Sequence, residues 1–255
     1  MRKAAFMGPL VLLAAAGGAV AAARGDAAAK PGLQTALART AKVSSQRYTF
    51  AVRITKKDAM PLVLRVRGQQ NAETISVRLK LSDMTMPDGT TVAASGSAAL
   101  LLGPFLYERA PSGVVLLGKA RWLRLHVADL SPDSAALKAV HALTPAPLLR
   151  VVGEAQMTQA APGARFYRGT VAYDNPLVRS ALARLTGGTE FRRLRISAYV
   201  GRDGLVHRLL LTGRTADRAS TLSLSARLFA FGRPVHVKPP PPGTFIDDKL
   251  VQLSS

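Results

Sequence analysis

Over much of the chain, apolar and polar residues change places at every second position. Leu194, Ile196, Ala198 and Val200 alternate with Arg193, Arg195, Ser197 and Tyr199. A period of two puts one set of side chains on a buried face and the other in water, as in a half-buried strand. The same alternation runs through Tyr48, Phe50, Val52 and Ile54, and through Leu62, Leu64 and Val66. It recurs in Ile75, Val77, Leu79 and Leu81, in Leu123, Leu125 and Val127, and in Leu222, Leu224, Ala226 and Leu228. Between Val200 and Leu205 stands Gly201-Arg202-Asp203-Gly204. Its Asp-Gly pair supplies the positive φ that a tight hairpin needs. Residues 191 to 245 therefore predict an antiparallel meander, with the Pro239–Pro242 tetrad ending its last strand.

Other stretches follow a helical period. Leu33 to Ser45 places Leu33, Leu37, Ala41 and Ser44 on one side, which predicts a leading helix. Ser131-Pro132-Asp133 reads as N-cap, proline at the first helical position and an acid near the positive end of the dipole. It predicts a helix to about Leu143, and Ala146–Val152 a short second one. Asn175-Pro176 opens another, with an apolar stripe through Leu177, Val178, Ala181, Leu182 and Leu185 and a stop at Gly187-Gly188. Met84–Ser97, around Pro87-Asp88-Gly89, predicts a flexible loop. Ala98–Glu108 predicts one strand broken at Gly103-Pro104, and Glu154–Thr158 and Phe166–Tyr173 flank a turn at Pro162-Gly163. The total is nine to eleven strands with three or four helices, an α+β chain whose sheet is wet on one side.

The start of the chain changes where this fold is expected to work. Met1-Arg2-Lys3 precedes an uncharged apolar run, Ala4–Ala23, ending in small residues. That order predicts a signal peptide over 1–23, with an uncleaved N-terminal anchor as the alternative. Residues 24–32 are a spacer and 33–255 a single domain, exported across the cytoplasmic membrane to an envelope, periplasm-like or extracellular space. The chain has no cysteine, which excludes disulfides, thiolate metal sites and acylated-cysteine anchors.

Lys and Arg number 35 against 15 Asp and Glu, for a formal charge of +20. A surplus of that size favours anionic partners such as a membrane surface or an acidic wall polymer. The basic residues are dispersed over strand positions, the pattern of a solvated face, and no nucleic-acid motif accompanies them. Nucleic acid is not expected as a partner.

Catalytic chemistry finds little support. His126, His141, His207 and His236 are scattered, with no HExxH pair and no G-x-S-x-G elbow, so each histidine is read as structural. His126 and Asp129 straddle a strand end. No dinucleotide or Walker loop is present, and no cofactor, metal or enzymatic activity is expected.

Several segments in order carry a family resemblance. Leu33–Phe50 (LQTALARTAKVSSQRYTF), Trp122–Leu130 (WLRLHVADL), Leu149–Glu154 (LRVVGE), Tyr167–Tyr173 (YRGTVAY), Tyr199–Leu209 (YVGRDGLVHRL) and Phe231–Asp247 (FGRPVHVKPPPPGTFID) span nearly all of the domain. Together they resemble the LppX/LprG-type envelope lipoproteins, which share the LolA/LolB-like half-barrel fold. The resemblance implies an open, strongly curved antiparallel sheet with short helices roofing its concave face. It also implies a non-catalytic carrier of lipid in the cell envelope.

Two departures stand out. The lipobox cysteine is absent from AVAAARGD, and Tyr199 replaces the family's tryptophan. The apolar-face residues expected to line a cavity for a lipid or amphiphile are Phe50, Val52, Val77, Leu79, Leu125, Val171, Ile196, Leu209 and Leu224. Plain core packing is the competing reading of each. The alternative function is an envelope structural or interaction protein that binds wall polymer, membrane surface or a protein through its basic face. A monomer is expected.

Overall fold

The computed structural model describes residues 26–57, 61–81, 84–85, 91–92, 96–110, 120–131, 134–161, 164–186 and 189–247. The expected signal peptide lies outside them. A helix, α1 (Asp26–Ala41), leads into the long strands β1 (Ser45–Lys56), β2 (Leu62–Asn71) and β3 (Thr74–Leu81). After a two-rung ladder of β4 (Met84–Thr85) and β5 (Thr91–Val92) come the shorter β6 (Gly96–Leu102), β7 (Phe105–Arg109) and β8 (Trp122–His126). Helices α2 (Ala135–Ala142) and α3 (Pro145–Glu154) follow, then β9 (Gln156–Gln159), β10 (Phe166–Ala172) and α4 (Pro176–Thr186). The meander β11 (Arg193–Val200), β12 (Val206–Arg214) and β13 (Ser220–Phe229) precedes a last short strand, β14 (Phe245–Asp247).

Twelve strands form one open sheet in the order β14-β8-β7-β6-β3-β2-β1-β13-β12-β11-β10-β9. Every pairing in it is antiparallel except that of β14 with β8. The fold is the α+β open sheet with helices on one face that the alternation and the resemblance imply. Directly paired residues point to the same side of a sheet, so the register defines each face. One row on the helix side runs Ile196, Leu211, Leu224, Val52 and Leu64 across five strands. All five side chains are buried.

Several elements differ from expectation. The first helix begins at Asp26 rather than Leu33, because the Ala-rich stretch ahead of Leu33 has high helix propensity. Ala98–Glu108 is a hairpin rather than one interrupted strand: Gly103, at φ 53°, turns β6 back as β7. The α2 cap is Ser134, whose hydroxyl accepts from the Leu137 N–H at 3.2 Å, rather than Ser131. The proline tetrad precedes the last strand instead of ending one, and residues 230–244 cross the sheet as a strap. The 84–97 stretch contains the β4–β5 ladder; most of its remaining positions lie outside the described residues.

Side chains tie the helices to the sheet. Thr40, fully buried near the end of α1, donates to the Ala36 carbonyl at 2.6 Å and accepts from the Val206 N–H at 2.9 Å. The same end of α1 lays the Arg39 guanidinium over Gly204, where an added Cβ would sit 2.6 Å from Nη1. Gly204 also has φ +72°, so both the hairpin and the helix contact require glycine there. Asn175 caps α4 as the sequence predicts, accepting from the Leu177 N–H at 2.9 Å.

Candidate ligand sites on the two faces of the sheet

The helix-covered face divides into two apolar clusters. The larger joins the inward residues of β1, β2 and β9 to β13 with Leu33, Leu37, Leu148, Val151, Val152, Val178 and Leu182 from the helices. Seven of the expected lining residues belong to it: Phe50, Val52, Val77, Val171, Ile196, Leu209 and Leu224, with Leu79 packed against its edge. Exposures of Val52 at 1%, Ile196 at 1% and Leu224 at 0% leave no water-sized space against these side chains. These side chains are closed to solvent and belong to one continuous apolar cluster.

Leu125 falls in the second cluster, with Leu106 and Val140. Around these three, Ile75, Ala99, Leu101, Leu123, Leu130 and Leu137 are only partly buried. The register aligns Ile75, Leu101, Leu106 and Leu125 in one row and Val77, Ala99, Glu108 and Leu123 in the next. Glu108 therefore stands on an apolar row with hydrocarbon neighbours across both adjacent strands. Burial pushes its carboxyl above the ordinary value of 4.5, because low dielectric disfavours the charged form. Sequence reading passed over Glu108. The signal was its parity with Leu106 on the same strand, visible once Gly103-Pro104 is taken as a turn.

The outer face has a different chemistry. Arg227, Thr49, Arg67, Arg78 and Ala98 form one cross-strand row, and Ser225, Ala51, Arg65, Lys80 and Gly96 the next. Over these rows passes the strap, fixed at both ends. Near its start, Ser45 Oγ donates to the Arg233 carbonyl at 2.7 Å and the Gly232 N–H donates to the Ser45 carbonyl at 2.9 Å. At its far end the Arg121 and Trp122 N–H groups both donate to the Thr244 carbonyl, at 2.8 and 3.1 Å.

A side-chain latch completes the far anchor. Arg124 donates twice to Asp247, both at 2.6 Å. Its guanidinium also lies against the rings of Phe105 and Phe245, at 5.0 and 4.5 Å from their centroids. The hydrogen bond to Asp247 raises the Arg124 pKa further above its already high value. Between the anchors, strap and sheet enclose a groove of about 1620 Å³.

The histidines find structural partners or open solvent. His126 packs edge-on to Phe105 at 4.7 Å, and His207 bonds Asp203 at 2.9 Å and meets Phe231 at 5.0 Å. His141 is exposed on the last turn of α2, and His236 is exposed on the strap. No group of three metal-ligating side chains occurs among the described residues.

No protein-family model and no curated protein matches the chain. Among solved structures it is similar to LprF from Mycobacterium bovis, at 14% identity and TM-score 0.45, covering 83% of this chain and 96% of that one. It is also similar to a LolA superfamily protein from Nitrosomonas europaea, at 10% identity and TM-score 0.29, covering 83% and 94%. A DUF1329 family protein from Desulfovibrio piger matches at 7% identity and TM-score 0.28, covering 82% and 95%.

Proposed function

We propose that this protein is an exported, non-catalytic carrier that holds the apolar part of a lipid or other amphiphile at the open end of its helix-covered face. The observation behind this reading is the second cluster, where three buried residues are ringed by partly exposed Leu and Ala side chains. A monomeric domain gains by covering such a surface. An acyl chain would supply about 0.8 kcal/mol for each methylene it buries. Leu125 would touch the ligand directly. Phe50, Val52, Val77, Leu79, Val171, Ile196, Leu209 and Leu224 form the packed wall behind, and would line a ligand only if the helices moved outward. Burial favours the protonated form of Glu108, which when protonated can donate its O–H to a carbonyl or hydroxyl of the ligand.

The test is extraction of the purified protein with organic solvent, followed by mass spectrometry, together with titration by a fluorescent fatty acid. Saturable uptake is expected, reduced about tenfold or more in the double variant Leu101→Glu, Leu137→Glu. Absence of co-purifying lipid together with absence of probe uptake would remove the carrier reading.

A further inference from the structure

The groove under the strap lies on the face opposite the proposed apolar site, and basic side chains from four strands, from Arg121 beside β8 and from the strap border it. Among the described residues, eight Lys and Arg side chains line it and no Asp or Glu does. Six of the eight are arginines: Arg65, Arg67, Arg78, Arg109, Arg121 and Arg227. Arg67 stands directly opposite Arg78, and Arg65 directly opposite Lys80. Like charges at such positions, with Cβ atoms about 5 Å apart, destabilise a sheet. Among the described residues, neither pair has an acidic partner. These side chains are solvent-exposed, and the strap runs beside them along one groove.

The roof is part of the argument. Pro239, Pro240 and Pro241 line the groove from above and Lys238 adds a cation on that side. Prolines have no N–H to bond to the sheet, and consecutive prolines hold an extended, stiff backbone. Anchored at Ser45 and Thr244, the strap crosses the outer face as a stiff extended segment, with Pro240 buried toward its far end. From β13 to β8 it spans six strand spacings, roughly 29 Å at about 4.8 Å each. The volume of about 1620 Å³ exceeds the ~300–1,000 Å³ of ordinary small-ligand pockets, and the shape suits a long, thin occupant. Arginine forks match phosphate oxygens in pairs.

We propose that the strap-covered groove binds a linear, multiply charged phosphate polymer, taken as a free strand threaded between the Arg67–Arg78 rows and the proline arch. A bilayer surface cannot pass under the arch, so anionic headgroups within a membrane are excluded as the occupant. Single-stranded nucleic acid shares the phosphates but needs aromatic platforms for its bases, and among the described lining residues only the Trp122 and His236 rings stand outside the inner-face Phe50.

The experiment is calorimetric titration of the purified protein with short-chain inorganic polyphosphate at about 150 mM salt. Saturable binding is expected, weakening about tenfold or more in Arg67→Ala, Arg78→Ala. The control is Arg193→Ala, Arg195→Ala, which removes the same charge from exposed positions on β11 outside the groove and is expected to cost less than about twofold. Asp247→Asn separates the arch from bulk charge. It makes the protein one unit more basic, so diffuse attraction would strengthen, whereas release of the far anchor is expected to weaken binding about threefold or more. Equal losses in the two arginine pairs, tighter binding by Asp247→Asn, or no saturable binding would overturn the proposal. So would effective competition by anionic phospholipid vesicles, or preference for an oligothymidylate of equal charge. None of these outcomes bears on fatty-acid uptake at the apolar face.

Discussion

The two ends of the helix-covered face are built from the same alternation and end in different states. Over β1, β2 and β9 to β13, α1, α3 and α4 bury most of the face, and Leu194, Leu211 and Leu224 are all at 0% exposure. Over β6, β7 and β8 the cover is α2, eight residues long. At 1.5 Å per residue that helix is about 12 Å long, while three strands side by side already span about 10 Å and each is longer than that. It reaches Leu106 and Leu125 through Val140 and leaves Leu101 and Leu123 partly in water. Whether these half-buried strands end as closed core or as partly exposed apolar surface thus follows the length of helix set over them.

The largest effect should separate these ends directly. Leu211→Ala removes a fully buried side chain from the closed end and is expected to cost about 2–5 kcal/mol in urea denaturation. Leu101→Ala, at the open end, is expected to cost about 1 kcal/mol or less, because water already reaches its site. Equal losses would mean that the outer strands are as tightly covered as the inner ones.

Gly68 gives a second, intermediate measure of how full the closed end is. A Cβ built there would lie 2.2 Å from Cζ and 2.4 Å from Cε2 and Oη of Tyr48, whose ring is fully buried and stacked on Phe50 at 5.1 Å. Burial also raises the Tyr48 pKa. Gly68→Ala therefore requires the ring to move within a filled core, at an expected cost of about 1–3 kcal/mol in the same assay. A neutral result would reveal slack behind Tyr48 and move the boundary between the two ends inward.

Much of this was legible in the sequence, and the misses have physical causes. Strict alternation identified β1, β2, β3, β11 and β13 and the face each presents, because burial on one side leaves little freedom in parity. The nine expected lining residues all share the helix side for that reason. What alternation cannot convey is what lies above a face, so Ile196 and Leu125 looked equivalent while one is enclosed and the other borders open apolar surface. The strap was missed because a proline tetrad marks only the absence of sheet hydrogen bonds. Its course depends on Asp247 meeting Arg124, 123 residues away in sequence. The groove was likewise invisible: Arg65, Arg67, Arg78 and Arg227 read as a solvated face until the chain end arches over them.

The smallest expected effect tests the open end through Glu108. In the folded chain burial raises its carboxyl above 4.5, the value it regains when the chain unfolds into water. The folded state then holds this proton more tightly than the unfolded state does. Its contribution to stability is fully present below pH 4.5 and is lost as the pH rises through the raised folded value. Glu108→Gln keeps a neutral group of the same size at every pH. The variant should match the parent near pH 4 and become the more stable of the two by pH 7, as read from paired urea midpoints. Pairing cancels the other carboxylates, whose titration is common to both proteins. A difference that does not change with pH would mean that water solvates Glu108 fully. The row of Ala99, Glu108 and Leu123 would then be ordinary surface, and the open end would lose the apolar character on which the carrier reading depends.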